Sequence, residues 1–330
     1  MSQIASVPAE RPQPTPTLVV WEAWRDRTPA HPWRDDLSTL EAMRLLNELR
    51  CFGRIGVLLV GRPLRRTDVG VLIEHGARIG LGIRLDPGID QATPHVLADL
   101  KDAGLQRMRF EIEDDVDVSA LTAVRDARAV GLGVDVLTRV SAEALPRLGG
   151  IADAIVGAGA HTWTISFYGP DGAAPVRGVH LDHALRGILA IAETLPLQVE
   201  IDAAPQLFRL ITGQGLSTEV RLAPADGDGV LYVAADGRLQ PSARLALEVG
   251  NARVDDPVET FRTDVLLEAL RAREELGGKC VVCEYREGCG GSRARAHALT
   301  GDAFAADPAC AYIPAAWEAG AHQGTRQYGT

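Results

Sequence analysis

The chain has 330 residues, a formal net charge of −10 and 46% hydrophobic residues, which is enough apolar material for one large domain and a smaller one. The acidic balance argues against a general nucleic-acid or membrane-surface binder, because phosphate-rich partners require clustered Lys and Arg. No apolar run approaches the roughly 20 residues of a membrane helix, and the polar, proline-rich segment 1–16 lacks the apolar core of a signal peptide, so we expect a cytoplasmic protein with a flexible leader.

Seven short apolar runs follow the leader and are separated by amphipathic stretches. Runs without alternation suit strands that are buried on both faces of a parallel sheet. The stretches between them have helical periodicity, and the first opens with a possible capping box at Ser38 and Glu41. This succession of βαβ units predicts an α/β fold, a partial (β/α)6-type parallel barrel with its chemistry at the C-terminal strand ends. The predicted strands cover residues 18–22, 55–60, 79–83, 108–112, 134–140, 163–168 and 197–201.

The pattern changes after Leu222. Two short runs, 230–233 and 238–239, flank a turn at Asp236 and Gly237 and predict a β-hairpin. A helix is predicted over residues 258–276, just before a cysteine-rich segment. The predicted domains are a flexible leader (1–16), a partial α/β barrel (17–222), a small α+β metal-binding domain (223–314) and a loose tail (315–330).

Four of the five cysteines lie close together near the C-terminus, with the spacing Cys280-x2-Cys283-x5-Cys289-x20-Cys310. In a reducing compartment, clustered thiols are more often metal ligands or redox groups than structural disulfides. Gly290-Gly291 permits the close approach of backbone N–H groups that a cluster needs. The ligand number fits a [4Fe–4S] cluster and a structural zinc ion equally well, although a zinc ribbon usually has a second Cys-x2-Cys pair.

Positive charge surrounds these cysteines and should lower the pKa of their thiols, which favours thiolate ligation. The fifth cysteine, Cys51, lies at the end of the first predicted helix, and we expect it to be a buried free thiol. The neighbouring cations are Lys279, Arg286, Arg293 and Arg295.

The cysteine segment reads GKCVVCEYREGCGGSRARA over residues 278–296, followed by TGD at 300–302 and DPACAY at 307–312. It resembles the C-terminal SPASM domain of radical S-adenosylmethionine (SAM) enzymes, closest to the branch around the alternative haem-biosynthesis enzymes. The resemblance implies that Cys280 and the three cysteines after it bind one auxiliary [4Fe–4S] cluster.

The resemblance extends over most of the chain. Residues 18–22 resemble the first barrel strand of the family, and residues 57–64 resemble its second strand and the loop that follows. Residues 229–242 and 250–251 resemble the hairpin and turn that lead into the SPASM cysteines. The family's fold, a partial (β/α)6 barrel with a cluster-bearing extension, agrees with the strand count.

The chain departs from this family where SAM should bind. A radical SAM enzyme holds its initiating cluster with a Cys-x3-Cys-x2-Cys motif after the first strand, and the corresponding positions here are Arg27, His31 and Arg34. Arg cannot ligate iron, because its guanidinium stays protonated. Arg62 stands where the resemblance implies an acidic residue that contacts the amino group of SAM, and two cations repel each other. These four positions therefore mark a degenerate cofactor site, and we do not expect SAM to bind.

The residues favour a pseudoenzyme that keeps one auxiliary [4Fe–4S] cluster and acts as a binding or electron-transfer partner. Its partner would be an active radical SAM paralogue, or a peptide or tetrapyrrole substrate. Two alternatives stay open: a radical SAM-family maturase or oxidoreductase that acts on a peptide or tetrapyrrole, and a binding protein with structural zinc. Arg27, Arg34 and Arg62 could jointly bind an anion at the barrel mouth, or they could be three solvated side chains.

Overall fold

The computed structural model describes residues 13–26, 35–113, 117–168, 176–214, 220–318 and 320. The described residues form one 11-stranded sheet whose strands are connected mainly by helices. This arrangement confirms the predicted α/β class. Among the described helices, none has the length and apolar composition that crossing a membrane requires.

Eight consecutive parallel strands make up most of the sheet, and they lie side by side in the order of the sequence. Their succession leaves an open sheet, because β8 stands at one edge and does not pair with β1. All seven predicted strands are present close to their predicted positions. The eight strands are β1 (Leu18–Glu22), β2 (Gly56–Val60), β3 (Gly82–Leu85), β4 (Arg107–Glu111), β5 (Gly133–Arg139), β6 (Thr162–Ser166), β7 (Gln198–Asp202) and β8 (Arg221–Leu222).

Within the described residues, seven α-helices connect these strands, and three of them begin at a side-chain cap. The predicted capping box is present: Ser38 precedes the first helix, its side chain accepts from the backbone N–H of Glu41, and Glu41 accepts from the Ser38 backbone N–H. Thr93 and Asp117 cap two later helices, each by accepting a backbone N–H of the first turn. The helices are α1 (Thr39–Leu49), α2 (Val69–Arg78), α3 (Pro94–Asp102), α4 (Val118–Ala129), α5 (Leu148–Ala158), α6 (Val179–Ala192) and α7 (Leu207–Gln214).

The prediction that the strands are buried on both faces is wrong for much of the sheet. In β1, β4 and β7 the burial alternates strictly from one residue to the next. One face packs into the core, where Trp21, Phe110 and Trp163 are almost fully buried. The other face, which we call the polar face, carries charged and hydroxyl side chains. Its members include Glu22, Arg84, Arg107, Arg109, Glu111, Asp135, Arg139, Thr164, Ser166, Glu200 and Asp202.

Beyond residue 222 the chain adds three strands to the other edge of the same sheet. These are β9 (Val230–Val233), β10 (Arg238–Gln240) and β11 (Gly250–Asn251). β9 lies parallel to β1, and β10 pairs antiparallel with β9, which confirms the predicted hairpin. Gly237 forms its turn at a φ of 88°, a conformation that favours glycine.

The helix predicted over residues 258–276 is two helices, α8 (Pro257–Thr263) and α9 (Val265–Ala272). The break lies at Asp264, whose backbone is extended with a ψ of 131° and whose side chain accepts from the backbone N–H of Leu267. An Asp that caps a new helix competes with continuation of the old one, and periodicity alone did not reveal this. Three short helices follow, α10 (Arg286–Cys289), α11 (Arg293–Thr300) and α12 (Ala315–Glu318).

Candidate functional site

The four C-terminal cysteines lie on turns rather than within long elements. Cys280 ends the 3-10 turn Gly278–Cys280, Cys283 lies in the next turn, and Cys289 is the last residue of α10. Cys310 lies in the loop before α12. All four side chains are free thiols of intermediate exposure, as metal ligands at the edge of a small domain would be.

The backbone N–H groups two residues after three of these cysteines favour the thiolate form. Those of Tyr285, Gly291 and Tyr312 act to lower the pKa of Cys283, Cys289 and Cys310, against the effect of burial. Hydrogen bonds to sulfur favour the thiolate and stabilise the negative charge of a metal–thiolate group. The donor set therefore fits a group held by cysteine thiolates, and the fit was not visible in the cysteine spacing alone.

The thiols are near one another, but their sulfurs are not arranged around a common metal position. The charges of Cys280 and Cys310 both act on Cys289. Within the described residues, however, no three His, Cys, Asp or Glu side chains are arranged to hold a metal ion. Coordination would require the sulfurs to converge further, so the ligand set of Cys280, Cys283, Cys289 and Cys310 remains a prediction.

Lys279 acts to lower the pKa of Cys310, as the sequence predicts for a nearby cation, but burial outweighs this effect in the free protein. Burial raises the pKa of Cys289 to about 12, and it also raises the pKa of Cys283 and Cys310. The backbone N–H groups oppose this rise without overcoming it. Buried thiols without metal are therefore protonated at neutral pH, and metal binding must release their protons.

Asp307 joins the two loops that carry Cys289 and Cys310. Its carboxylate accepts from the backbone N–H groups of Ser292 and Ala309, at 2.8 Å and 3.0 Å, and from Gln206 at 2.7 Å. Arg295 completes the set with two hydrogen bonds of 2.8 Å and 2.7 Å, and the side chains of this ion pair are 0% exposed. Burial alone would raise the pKa of Asp307, but the hydrogen bonds from Arg295 hold it below its usual value.

The polar face forms a second group of charged side chains, near the C-terminal strand ends. Three of its arginines, at 107, 109 and 139, are paired with carboxylates from neighbouring strands or loops, at distances such as 2.6 Å between Arg109 and Asp86. Ser166 also donates to Asp202 at 2.7 Å. Such paired charges cost little to keep half-buried and leave a polar surface for a ligand. The pairs are Arg107–Asp135, Arg109–Asp86, Arg139–Glu111 and Arg244–Asp202.

Glu200 has a raised pKa, as does the Asp86 carboxyl that pairs with Arg109. Burial raises the pKa of Glu200, and the charges of Asp202 and Asp135 add to the rise. A carboxyl with a raised pKa beside a polar surface is a typical proton donor. Sequence reasoning missed this residue and the whole polar face, although the alternation in Arg107-Met-Arg-Phe-Glu111 was a usable signal.

A cavity of about 500 Å³ connects the polar face with the cysteine segment. It extends from Asp202 at the end of β7, past the loop 222–229, to Cys289 and Arg293. Arg244 lines it as well and lies over the Tyr168 ring at 5.0 Å. A molecule bound there would touch both the barrel and a group held by the cysteines.

The four positions predicted to form a degenerate cofactor site are described only in part. Arg27, His31 and Arg34 lie outside the described residues. Arg66 ties together the two ends of the segment that contains them, because its Nη1 donates to Ala23 O at 3.2 Å and to Leu37 O at 2.8 Å.

Arg62 has a left-handed backbone with a φ of 59°, directly after β2. Its guanidinium lies 3.8 Å from Asp26 and lines an open groove that also contains Asp90, Asp117 and Asp126. Its described surroundings are thus acidic. They do not favour the anion site considered from the sequence.

Cys51 is exposed, so the prediction that it is a buried thiol is wrong. It follows α1 in a 3-10 turn, Arg50–Phe52, in which Phe52 takes the buried position instead. The apolar periodicity of α1 does not continue through this tighter turn. Cys51 is not part of the predicted ligand set of four C-terminal cysteines, and it therefore serves as a control in experiments on them.

The comparisons with known proteins agree with these features. No family model matches the chain. The AdoMet-dependent heme synthase of Nitratidesulfovibrio vulgaris is 27% identical over 91% of this chain and 94% of its own. The PqqA peptide cyclase of Rhodopseudomonas palustris is 26% identical over 84% of this chain and 80% of its own.

Among solved structures, Streptococcus suis SuiB bound to S-adenosylmethionine is similar in fold. Its TM-score is 0.62, at 12% identity, over 91% of this chain and 74% of that one. The likeness thus covers the barrel and the cysteine segment together. In fold, and in sequence over most of its length, the chain is a radical SAM/SPASM-like protein.

Proposed function

We propose that the chain is a degenerate radical SAM/SPASM homologue that holds one auxiliary [4Fe–4S] cluster on Cys280, Cys283, Cys289 and Cys310. In this proposal it does not cleave SAM, and it acts in the cytoplasm as a binding or electron-transfer partner. The observation that carries the proposal is the group of four cysteines on adjacent turns, three of which have a backbone N–H two residues later that favours the thiolate. A cluster would supply one-electron redox chemistry at the end of the cavity.

The loss of SAM cleavage rests on the sequence. Arg27 and Arg34 replace two thiolate ligands, and no cysteine precedes Cys51. Arg62 adds a third cation where an ammonium would have to bind, and a positive charge there opposes SAM. The acidic surroundings of Arg62 reduce this repulsion, so the missing ligands are the stronger argument.

We propose a peptide or a tetrapyrrole as the molecule that this chain receives. The names of its relatives refer to heme in one case and to the PqqA peptide in the other. The cavity of about 500 Å³ between Asp202 and Cys289 is large enough for part of such a molecule. An active radical SAM paralogue is the other partner that we propose, since a degenerate subunit would need one for radical chemistry.

The test is to purify the protein without oxygen and to measure iron, sulfide and zinc per chain, together with the visible spectrum. We expect a brown protein with about four irons per chain. Cys283→Ser should lose the colour, whereas the matched control Cys51→Ser should keep it, because Cys51 lies outside the site. With a reductant and SAM, no 5′-deoxyadenosine should form.

Other outcomes would contradict specific parts of the proposal. About eight irons per chain would indicate a second cluster and an intact initiating site. A colourless protein with one zinc ion would replace the redox role with a structural metal beneath a binding barrel. Cleavage of SAM would make the chain an active maturase or oxidoreductase.

A further inference from the structure

Arg293 is a buried arginine with one unused donor. Its side chain is 5% exposed, and its Nη1 donates to the carbonyl oxygens of Ala303 and Ala305, both at 2.9 Å. Its Nε donates to Gly291 O at 3.3 Å. Within the described residues, the second guanidinium nitrogen, Nη2, has no hydrogen-bond partner. A buried N–H group without an acceptor is costly, which indicates that something absent from the free chain accepts from it.

The unused donor lies beside the cysteines. Arg293 lines the cavity together with Cys289, and among the charges that act on it those of Cys280 and Cys289 are prominent. A Cβ atom placed on Gly291 would come within 2.5 Å of Nη2. Glycine at this position, with a φ of 68°, therefore lets the guanidinium reach the loop that follows Cys289.

The nearby carboxylates do not accept a hydrogen bond from Nη2 of Arg293. Asp307 is fully engaged by Arg295 and by backbone N–H groups. Asp226 accepts from the Ala294 N–H through one oxygen, and its other oxygen also lacks a partner among the described residues, so it does not reach Nη2. The acceptor that Nη2 requires is therefore not among the acids that surround it.

A thiolate-held metal group has the charge that Arg293 would satisfy. Four thiolates outweigh the two positive charges of a zinc ion, and equally those of an oxidised [4Fe–4S] core, so either group is net negative. Burying such a charge is unfavourable unless a cation or hydrogen-bond donors accompany it. The neighbouring arginines have other partners: Arg295 pairs with Asp307, and Arg286 pairs with Glu287 at 2.9 Å and donates to Val281 O at 3.0 Å. Lys279 donates to Cys310 O at 2.7 Å and is a second cation beside the cysteines.

We propose that Arg293 is a positioning residue that donates Nη2 to the thiolate-held metal group and stabilises its negative charge. This inference rests on the proposed function, in which Cys280, Cys283, Cys289 and Cys310 hold such a group. It adds one residue that the cysteine spacing does not identify, and it assigns Gly291 the role of making room for it.

The experiment compares wild type with Arg293→Gln, Arg293→Lys and the control Arg125→Gln in the full chain. Reduction potential is measured by spectroscopic titration, and metal retention by adding a chelator. Arg293→Gln should shift the potential to a more negative value and lose metal faster, because removal of a cation disfavours the more negative reduced state. Arg293→Lys should restore much of both values, and Arg125→Gln should match wild type because Arg125 is an exposed residue of α4 that does not line the cavity.

The outcomes separate this inference from the proposed function. Wild-type protein without any bound metal would overturn the proposed function, and zinc in place of a cluster would leave metal retention as the readout. A metal-bearing Arg293→Gln protein with wild-type potential and retention would overturn the role of Arg293. If far-UV circular dichroism shows that Arg293→Gln does not fold, Arg293→Lys provides the test. A folded Arg293→Lys protein that still loses its metal would contradict the proposal, because Lys keeps the positive charge at this position.

Discussion

At the scale of single residues, one carboxylate determines how the loops that carry Cys289 and Cys310 meet. Asp307 accepts five hydrogen bonds, and they come from segments as distant in sequence as Gln206. None of these contacts requires a metal. Asp307 thus holds two of the four predicted ligands in register before a metal group binds, which lowers the ordering cost of binding.

We expect Asp307→Asn to lower the free energy of unfolding by about 3–5 kcal/mol, because it leaves Arg295 buried without its counter-charge. The measurement is denaturant unfolding of the full chain followed by far-UV circular dichroism. Glu287→Gln is the matched control, since its exposed pair with Arg286 should contribute at most about 1 kcal/mol. Equal effects of the two variants would show that the Asp307–Arg295 pair does not stabilise the fold.

The same pair predicts a dependence on pH. The folded pKa of Asp307 is lowered, so its stabilising contribution is complete above the unfolded pKa, about 3.9 for Asp. The contribution is lost as pH falls toward the folded pKa. The difference in stability between wild type and Asp307→Asn should therefore shrink below about pH 4 and stay constant between pH 5 and 7.

At the scale of elements, the N-terminus of α1 is the clearest case in which local sequence specifies structure. Ser38 and Glu41 form the capping box that their spacing predicts, and Arg253 adds a hydrogen bond of 2.9 Å to Glu41 from a distant loop. The hydrogen bonds from Ser38, chiefly, lower the pKa of Glu41 to about 2. Both local contacts follow from residues three positions apart, so no tertiary information was needed.

We expect Glu41→Ala to reduce stability by about 1 kcal/mol at pH 7, because the variant loses the hydrogen bonds from Ser38 to the Glu41 carboxylate. The folded pKa of Glu41 lies below its ordinary value of 4.5, so its contribution should disappear as pH falls from about 4.5 to about 2. Thermal unfolding across this range measures the effect. Glu41→Gln is the control that keeps an acceptor, and it should retain most of the cap at pH 7. If wild-type protein at pH 2 exceeded Glu41→Ala in stability by as much as at pH 7, the stabilising role of the ionised Glu41 carboxylate would be contradicted.

At the scale of the whole molecule, the sheet does not end at the proposed domain boundary near residue 222. β9 pairs with β1 along four residues, and Leu231 and Val233 are 0% exposed in the same core as Val19 and Trp21. The boundary was drawn from a change of pattern along the chain. The boundary near residue 222 remains a prediction. It separates the part of the chain that carries the polar face from the part that carries the four cysteines.

We expect a chain that ends at residue 222 to fail to fold cooperatively. Its β1 would have an unpaired apolar edge, and Trp21 would lose the side chains that cover it. Size-exclusion chromatography and binding of a hydrophobic dye measure this. A chain that ends at residue 318, with β9 to β11 intact, is the control and should behave as the full chain does. Monomeric, cooperatively unfolding 1–222 protein would show that the barrel is independent.

The sequence by itself determined the succession of strands and helices, the capping box at Ser38 and the spacing of the four C-terminal cysteines. These depend on periodicity and on residues a few positions apart, where local geometry decides. Tertiary structure alone decided that Cys51 is exposed and that β9 lies beside β1. It also decided that Asp307 takes up Arg295 while Arg293 keeps a free donor, because contacts between residues far apart in the sequence depend on how the chain packs. Gln206 and Asp307, for example, are 101 positions apart.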